Sequence, residues 1–474
     1  MRWTIADVAA ATSGRRVAGN PEGELVAVAI DSRRVRRGEL FVALRAERDG
    51  HQFVDHAAAA GAAAVLVDSR WLGDLAPAAG PAILRSGEGT GSVPALPDGL
   101  AVVEVADTGT ALLALGKAAR RRLLATVIGI TGSVGKTSTK DLTAAALSRR
   151  WRTAASEKSF NNELGVPITL ANAAEDTEVA VIEMGARGPG HIALLSDVAR
   201  PGIAVVTAVA AVHTELFGSL SAIAAAKGEL VEALPAGGTA VLNGDDPLVS
   251  AMADRATPGV DVLRFSASGD RSADVVAERV VVEDDLRPRF RLRCPWGAAS
   301  VYLGVRGQHH VSNALAAASA ALRCDVPLTD VVAALEEAHL SPWRMALERT
   351  PSGAVVLNDA YNANPASMEA AIRSLARLPA HRRVAVVGEM AELGDLAPEA
   401  HRRVVELADQ LGVELLAVGT TLYGPRPVPD IDAALDALGG TAPLGPGTAV
   451  LVKASRVAGL ERLAERLVHP APAG

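Results

Sequence analysis

The sequence predicts an α/β protein with more than one domain. The chain has 474 residues, which at ~100–200 residues per domain corresponds to two to four domains. Short apolar, β-branched runs alternate with helix-forming stretches, as is typical of parallel sheets covered by helices. A glycine-rich turn at 131–137, between one such run and a helix, has the form of a phosphate-binding loop. We therefore expect a small N-terminal α/β domain, a central P-loop domain whose parallel sheet carries extra antiparallel strands, and a C-terminal Rossmann-like, doubly wound domain.

The composition is that of a globular protein with several cores. Hydrophobic residues make up 49% of the chain, aromatic residues 3%, and the net charge is -7 with acids and bases interspersed. We expect no nucleic-acid partner, because there is no basic patch. We expect no membrane insertion, because no apolar run reaches the ~18 residues of a membrane helix.

The N-terminus and the cysteines both favour the cytoplasm. Thr4 and Asp7 form a capping-box-like helix start, and Asp7 interrupts any apolar stretch of a signal peptide. Cys294 and Cys324 are far apart and lack metal-ligand spacing, so we expect buried or idle thiols in a reducing compartment.

The first hundred residues predict a small α/β unit with a helix over 56–60 and an irregular loop over 72–100. Ser32, His51 and Gln52 follow predicted strand ends, where α/β folds bind ligands. These side chains are candidates to contact a base or a diphosphate, although ordinary turn chemistry is the alternative. Four strands are predicted, at 25–30, 40–44, 62–67 and 101–105.

A phosphate-binding loop is predicted where the strand 126–131 meets the following helix. The loop reads Thr-Gly-Ser-Val-Gly-Lys-Thr at 131–137, and its glycines allow backbone N–H groups to point at phosphate oxygens. Lys136 would supply a positive charge for the terminal phosphates, and the Thr137 hydroxyl would bind Mg²⁺. Ile130 replaces the first glycine of the general pattern, so a simple turn with an exposed lysine remains the alternative.

Three later residues of the central region are candidates for the same site. Glu183 ends the strand 179–183, where P-loop folds often place an acid that binds Mg²⁺. His213 follows the next strand. Lys227 lies in a helix after an apolar approach, and a lysine with a lowered pKa can add CO₂ to give a metal-binding carbamate. The alternatives are a water-facing acid, a loop histidine and a solvated lysine.

Amide side chains form a further set of candidates. Asn161 and Asn162 either belong to a loop or offer amide groups to a polar substrate. Asn313 lies at the entrance of the helix 314–322, which suits nucleotide contact and helix capping equally. Antiparallel strands are predicted at 274–282, 289–293 and 300–303.

The last 130 residues predict a doubly wound, mostly parallel sheet. Polar clusters at 358–365, 388–394 and 453–456 follow three of its strands, where such sheets bind ligands. Ordinary loop composition is the alternative, and the tail 469–474 is expected to be disordered. The predicted strands are 355–357, 384–387, 415–418 and 449–452, and the predicted helices are 367–375, 398–410 and 431–438.

Together these motifs resemble the Mur ligases, the ATP-dependent amide-forming enzymes of peptidoglycan precursor synthesis. Two stretches, NDAYNANPASM and VVGEMAELG, discriminate best and point to members that add D-alanyl-D-alanine, and no DNPR-type motif of the single-amino-acid-adding members occurs. The family's T-G-x-x-G-K-T loop also accounts for Ile130. The other matching stretches are DSRRVRRGELFVAL, DGHQF, GITGSVGKTSTK, SFNNELGVP, VIEMGA, AVHTELFGS, AAKGEL, LNGDD, GQHHVSNALAAA and VLVKASR.

The resemblance implies three domains: 1–106 for the UDP-sugar, 107–340 for ATP and 341–474 for the incoming D-Ala-D-Ala. It implies a cytoplasmic, monomeric ligase that uses ATP and Mg²⁺ to join D-alanyl-D-alanine to UDP-N-acetylmuramoyl-tripeptide (UDP-MurNAc-tripeptide) through an acyl phosphate. Another Mur-type or folylpolyglutamate-synthase-like ligase, or a P-loop small-molecule kinase, is the alternative.

The same resemblance assigns the site residues. Catalysis is expected from Lys136, Glu183, His213 and Lys227. The metal ligands would be Thr137, Glu183, His213 and a carbamylated Lys227. ATP would contact Gly132, Ser133, Val134, Gly135, Lys136, Thr137, Ser138, Asn313, Arg344 and Asp359. The UDP-linked substrate would contact Ser32, His51, Gln52, Asn161 and Asn162, and D-Ala-D-Ala would contact Tyr361, Asn362, Asn364, Glu389 and Glu392.

Three departures from the family pattern put local geometry in question. Trp343 stands where a glycine is common, KASR replaces the usual KGSR at 453–456, and the spelling Gln308-His309-His310 is altered.

Overall fold

The computed structural model describes residues 1–75, 99–157, 159–211, 214–440 and 444–470. Most of the loop predicted at 72–100, and residues 471–474 of the predicted disordered tail, lie outside the described residues. Within the described chain, no helix has the length and apolar character needed to cross a membrane. Cys294 and Cys324 are free and buried, as expected.

The N-terminal region forms a five-stranded sheet in the order β2-β7-β6-β5-β4, in which only the β2–β7 pair is antiparallel. Its core includes Phe41, Val54 and Val65. The predicted capping box is present, because Thr4 and Asp7 exchange backbone-to-side-chain hydrogen bonds. The elements are β1 Trp3–Thr4, α1 Ile5–Thr12, β2 Arg15–Ala18, β3 Glu24–Leu25, β4 Val28–Ala29, β5 Leu40–Val42, α2 Val54–Ala59, β6 Ala64–Asp68, α3 Ser69–Leu75 and β7 Ala101–Val105.

The strand predicted over 25–30 is two short strands that serve different sheets. Leu25 pairs with Trp3 in the two-stranded sheet β1-β3. Val28 pairs with Leu40 in the five-stranded sheet. The chain therefore changes partners within three residues, which a run of apolar letters does not reveal.

The central region forms a nine-stranded sheet in the order β16-β15-β14-β13-β12-β11-β8-β10-β9. The pairs β11–β12, β12–β13 and β13–β14 are parallel. The pairs β14–β15 and β15–β16 are antiparallel, as predicted for these strands. The elements are α4 Thr108–Arg122, β8 Thr126–Thr131, α5 Lys136–Leu147, β9 Thr153–Ala155, α6 Gly165–Asn172, β10 Val179–Glu183, α7 His191–Ala199, β11 Ile203–Val206, α8 Thr214–Phe217, α9 Leu220–Glu232, β12 Thr239–Asn243, α10 Pro247–Ser250, β13 Asp261–Ser266, β14 Val275–Val282, β15 Pro288–Cys294, β16 Gly297–Tyr302, α11 His310–Arg323 and α12 Leu328–Glu337.

The C-terminal region is the predicted doubly wound sheet, in the order β17-β18-β21-β19-β20 with only β17 antiparallel. Adjacent residues of β18 alternate between two cores, since Val356 packs with Leu463 on one face and Leu357 with Met368 on the other. This period of two requires helices on both faces. The elements are β17 Ala346–Arg349, β18 Val355–Asn358, α13 Pro365–Arg377, β19 Arg382–Val387, α14 Ala397–Gln410, β20 Glu414–Ala417, α15 Ile431–Gly440, β21 Thr448–Lys453 and α16 Glu461–Val468.

The fold is thus the expected three-domain α/β architecture. By density of contacts the described chain separates into two compact units. Unit 1 contains Met1–Gly129, Trp151–Met184 and Ala193–Pro201, and unit 2 contains Ile130–Arg150, Gly185–Ile192 and Gly202–Gly474. The exact domain boundaries at 106 and 340 stay a prediction.

Candidate active site

The loop 131–137 has the geometry of a phosphate-binding loop. Gly132 and Gly135 have φ angles of +150° and +84°, and Gly135 is the N-cap of α5 with no side-chain cap from the described residues. The first N–H groups of the helix therefore point into the loop, which suits a phosphate. Lys136 Nζ donates to the Gly132 carbonyl at 2.7 Å, so its charge lies across the loop. The side chains of Ser133, Thr137 and Ser138 are buried at the same place.

Neighbouring side chains brace the loop closely. Thr207 Oγ1 donates to the Val134 carbonyl at 2.5 Å. Asn313 accepts a hydrogen bond from Thr139 Oγ1 at 3.3 Å through Oδ1. A Cβ on Gly135 would lie 2.4 Å from Asn313 Oδ1. Glycine is therefore required here both by the backbone angle and by the approach of Asn313.

A buried histidine orients Asn313. Burial lowers the pKa of His310 well below its ordinary value, so the ring is neutral and can accept a hydrogen bond. Its Nδ1 lies 2.9 Å from Asn313 Nδ2. The amide nitrogen therefore faces His310, and the amide oxygen faces Thr139 and the loop.

Lys227 of α9 is buried rather than solvated. Its exposed fraction is 4%, and burial, together with the positive charge of Lys136, lowers its pKa to about 7. At neutral pH a large fraction of this amine is unprotonated, which is the form that can add CO₂. The structure thus favours a buried lysine with a lowered pKa over the alternative of a solvated lysine.

Glu183 ends β10 in unit 1 and is 1% exposed. Its Oε1 accepts a hydrogen bond from Asn161 Nδ2 at 2.8 Å, and its backbone N–H donates to Ser156 Oγ. Its Oε2 is buried without a hydrogen-bond partner among the described residues. A buried carboxyl oxygen without a partner is a candidate ligand for a hard cation such as Mg²⁺.

The expected metal set is only partly visible. His213 lies outside the described residues. Among the residues that are described, no group of three or more His, Cys, Asp and Glu side chains could hold a metal ion. The unpartnered Oε2 of Glu183 is compatible with a bound Mg²⁺, and the ligand set stays a prediction.

Arg344 and Trp343 lie between the central and C-terminal regions of unit 2. The Arg344 guanidinium lies over the Tyr361 ring, 4.0 Å from its centroid, and its Nε is buried without a partner among described residues. Trp343 has a φ of +61°. This left-handed conformation explains why a glycine is common here, and it costs Trp343 about 1 kcal/mol. Its ring lies 4.5 Å from the Arg456 guanidinium.

Asp359 directly follows β18 and is held from two sides. Its Oδ1 accepts from the Met345 N–H at 3.1 Å, and its Oδ2 accepts from Lys453 Nζ at 2.6 Å. Lys453 also donates to the Asn362 carbonyl at 2.8 Å. Asn362 itself is exposed, and Tyr361 is half-buried.

The other residues assigned to D-Ala-D-Ala differ in what their side chains do. Asn364 caps α13 by accepting from the Ser367 N–H, so its amide oxygen has a structural role. Glu389 and Glu392 are exposed, and Glu392 has a φ of +64°.

Two buried side chains hold the loop at 388–393. His401 Nε2 accepts from the Met390 N–H at 3.0 Å, which burial permits by lowering the pKa of His401. The Tyr423 hydroxyl donates to the Gly388 carbonyl at 3.0 Å. The KASR departure is also accommodated here, because a Cβ on Gly388 would lie 2.8 Å from that of Ala454. The missing side chain of Gly388 makes room for Ala454.

The residues predicted for the UDP-linked substrate lie in unit 1 and divide into buried and open groups. His51 is 3% exposed, and both ring nitrogens are engaged, with Asp49 Oδ1 at 2.6 Å and with the Asp68 N–H at 3.0 Å. Ser32 is buried in a turn capped by Asp31. Gln52 is exposed. Of the adjacent residues His51 and Gln52, it is therefore Gln52 whose side chain can reach a ligand.

Asn162 is likewise occupied in the fold. Its Oδ1 accepts from the N–H groups of Leu164 and Gly165 at 3.3 and 2.9 Å, which caps the start of α6. Of the two adjacent asparagines, Asn161 is the one directed at Glu183.

Sequence reasoning missed several contributors. The Thr131 hydroxyl is buried at the loop without a partner among the described residues, and Thr207 braces the loop. Nothing in the local sequence distinguishes Thr207. The contact of His310 with Asn313 could be predicted only in part, because the two residues are three positions apart and so lie on one helix face.

Comparisons with known proteins show what the chain is similar to. Residues 130–321 match the Mur ligase middle domain, and residues 343–456 match the Mur ligase, glutamate ligase domain. The UDP-N-acetylmuramoyl-tripeptide--D-alanyl-D-alanine ligase of Mycobacterium tuberculosis is 42% identical, over 96% of this chain and 93% of its own. A crystal structure of MurF from Acinetobacter baumannii has a TM-score of 0.83 and 28% identity, and 99% of each chain is covered. MurF ligase from Thermotoga maritima in complex with ADP has a TM-score of 0.73 and 25% identity, covering 93% of this chain and 96% of its own.

Proposed function

The chain belongs to the Mur ligase family, and from that premise we propose that it uses ATP to join D-alanyl-D-alanine to UDP-MurNAc-tripeptide. The observation that carries the assignment is the 42% identity to a ligase of that name across 96% of the chain. The uncapped start of α5 beside Gly135 supports the ATP half of the reaction.

The reaction must activate a carboxylate that does not react with an amine at neutral pH. An oxygen of the tripeptide C-terminal carboxylate attacks the γ-phosphorus of ATP, the bond from that phosphorus to the β–γ bridging oxygen breaks, and ADP leaves. The amino nitrogen of D-Ala-D-Ala then attacks the carbonyl carbon of the acyl phosphate. The tetrahedral intermediate loses inorganic phosphate, the nitrogen loses its proton, and an amide remains.

The first step brings two anions together, and the loop 131–137 offsets their repulsion. The first N–H groups of α5 and the Lys136 ammonium would stabilise the transferring phosphoryl group. Asn313 would contact the nucleotide from the side of Gly135, to which it lies close. Gly132, Ser133, Val134, Thr137 and Ser138 would complete the cradle.

Mg²⁺ would be held by Thr137, Glu183, His213 and the carbamate of Lys227, and it would neutralise phosphate charge. The support is the orphan Oε2 of Glu183 and the pKa of about 7 of the Lys227 amine. A carbamate on the buried Lys227 replaces a cation by an anion, which also relieves its repulsion with the ammonium group of Lys136.

The outer domains would supply the two organic substrates. Ser32, His51, Gln52, Asn161 and Asn162 would shape the UDP-substrate region. His51 and Asn162 would act through the backbone that they hold. Tyr361, Asn362, Asn364, Glu389 and Glu392 would surround D-Ala-D-Ala, since the exposed carboxylates of the last two suit its ammonium group. We also propose a cytoplasmic monomer, as the family resemblance implies; light scattering during size-exclusion chromatography tests the monomer.

The decisive experiment measures phosphate release with ATP, UDP-MurNAc-tripeptide and different acceptors. D-Ala-D-Ala should support release, and single amino acids should not. Release with a single amino acid but not with the dipeptide would overturn the proposal in favour of another Mur-type ligase. Formation of ADP without release of inorganic phosphate would favour a kinase, because a kinase leaves the phosphoryl group on its product.

A separate experiment tests the carbamate without an activity readout. The protein is equilibrated with ¹³C-bicarbonate, and a carbamate carbon signal is sought by NMR. We expect the signal in the wild type and its loss in Lys227→Met. Its presence in both proteins would place the modification elsewhere.

A further inference from the structure

Lys453 is a buried lysine to which the reaction assigns no role. It ends β21, and its side chain is 2% exposed. Its ammonium donates to Asp359 Oδ2 at 2.6 Å, to the Asn362 carbonyl at 2.8 Å and to the Asp359 carbonyl at 3.4 Å. A lysine ammonium has three donors, so all of them are used inside the protein. Lys453 therefore acts through the segments that it holds.

The sheet register brings these groups together. β18 and β21 are parallel neighbours, with Asn358 opposite Val452. The Asp359 N–H continues the pairing by donating to the Val452 carbonyl at 3.0 Å. The carboxyl ends of the two strands therefore lie at one edge, where doubly wound sheets bind ligands.

The Asp359 carboxylate is fixed between Lys453 and the segment 343–345. Its second oxygen accepts from the N–H of Met345, next to Arg344. An ionised carboxylate has about four acceptor sites, and two are used in this way. The sites that remain keep a fixed direction, which suits the nucleotide contact assigned to Asp359.

Ser455, two residues after Lys453, forms hydrogen bonds with both segments that are assigned to the dipeptide. Its N–H donates to the Glu389 carbonyl at 3.0 Å. Its hydroxyl accepts from the Ala391 N–H at 2.8 Å and lies 3.4 Å from the Ala363 carbonyl, to which it donates. The segment 453–455 thus contacts the residue assigned to ATP and both loops assigned to D-Ala-D-Ala.

We propose that Lys453 is a positioning residue that sets the nucleotide and acceptor sites together, with Ser455 extending its effect to the second acceptor loop. The inference rests on the proposed function for the identity of the two ligands. Because the ammonium holds Asp359 and Asn362 at once, its loss releases both sites. The proposed role of Lys453 and Ser455 therefore runs through the residues that they hold and needs no contact with a substrate.

The test measures KM for ATP and for D-Ala-D-Ala by phosphate release, with the other substrates saturating. Lys453→Met keeps the length of the side chain and removes the charge. We expect both KM values to rise at least about tenfold, and the KM for the UDP-linked substrate to stay unchanged. A purely structural role would lower kcat through a smaller active fraction and leave both KM values as they are.

Two more variants make the result decisive. Ser455→Ala should raise the KM for D-Ala-D-Ala only, and it decides the matter if Lys453→Met does not fold. Arg466→Met is the matched control, since it breaks an exposed ion pair with Asp432 in the same domain, and it should change neither KM.

The outcomes separate this inference from the proposed function. The inference is overturned if Lys453→Met changes only one KM or neither, or if Lys453→Met is unfolded and Ser455→Ala changes no KM. Failure of the wild type to release phosphate in response to D-Ala-D-Ala would instead overturn the proposed function.

Discussion

The close approach of Asn313 to the phosphate-binding loop gives a prediction whose size follows from the structure. Gly135→Ala places a methyl group 2.4 Å from Asn313 Oδ1, well inside the 3.0 Å that real Cβ atoms keep. Asn313 must therefore move. It would weaken its hydrogen bonds with Thr139 and His310, each worth about 1 kcal/mol. The φ of +84° at residue 135 adds about 1 kcal/mol of strain. We expect the free energy of unfolding to fall by about 3 kcal/mol.

Gly190 is a control that measures the cost of backbone strain without a side-chain clash. Gly190 has a φ of +81°, and no atom lies within 4 Å of the position of a Cβ. Gly190→Ala should therefore cost only about 1 kcal/mol, measured by urea denaturation alongside Gly135→Ala. In the phosphate-release assay, Gly135→Ala should also raise the KM for ATP by about tenfold, because the loop and Asn313 are both displaced.

The double variant Gly135→Ala/Asn313→Ala, together with the two single variants, forms a double-mutant cycle. Removing the Asn313 side chain relieves the clash, so the double variant should be about as stable as Gly135→Ala alone, with a coupling energy of about 2 kcal/mol. Equal losses for Gly135→Ala and Gly190→Ala, together with additive effects in the double variant, would refute the close contact.

Other predictions concern single side chains of the candidate site. The Lys227 pKa is about 7 in the fold against 10.5 for a free lysine, so the unfolded chain binds more protons between these values. In carbonate-free buffer the free energy of unfolding should rise from pH 7 to pH 10, and this rise should be smaller in Lys227→Met. Glu183→Gln should lower kcat for phosphate release by about 100-fold or more. Asn161→Ala should lower it by about tenfold, because Asn161 donates to Glu183 Oε1 and orients it; equal effects would contradict this order. His51→Ala should lower the free energy of unfolding by about 2–4 kcal/mol, because both ring nitrogens are bonded. Gln52→Ala should leave stability within about 0.5 kcal/mol and raise the KM for the UDP-linked substrate.

Much of the fold could be predicted because its signals are local. The strands at 101–105 and 126–131, the capping box at Thr4 and the alternation of the C-terminal region were all readable from side-chain periodicity and turn residues. The strand at 25–30 was read wrongly as one element. Its two halves pair with different sheets, and pairing depends on residues far away in the chain.

The candidate site was predictable in its residue types but not in its contacts. The loop 131–137 and the acid at the end of β10 carry motif signals. Periodicity could not show that Lys227 is buried beside a second ammonium group, since that depends on what packs over α9. The same holds for His51 and Asn162, whose polar atoms are used within the fold.

By itself the sequence determined the α/β class, the position of the phosphate-binding loop and the family, because each is encoded in short, contiguous runs of residues. The tertiary structure decided which polar groups are engaged and which are orphaned. Glu183 keeps one oxygen without a partner among the described residues. Lys453, in contrast, donates all three of its hydrogen bonds to Asp359 and Asn362. Hydrogen bonds and burial depend on distances between segments remote in sequence, such as Lys453 and Asp359, and only the folded chain brings those segments together.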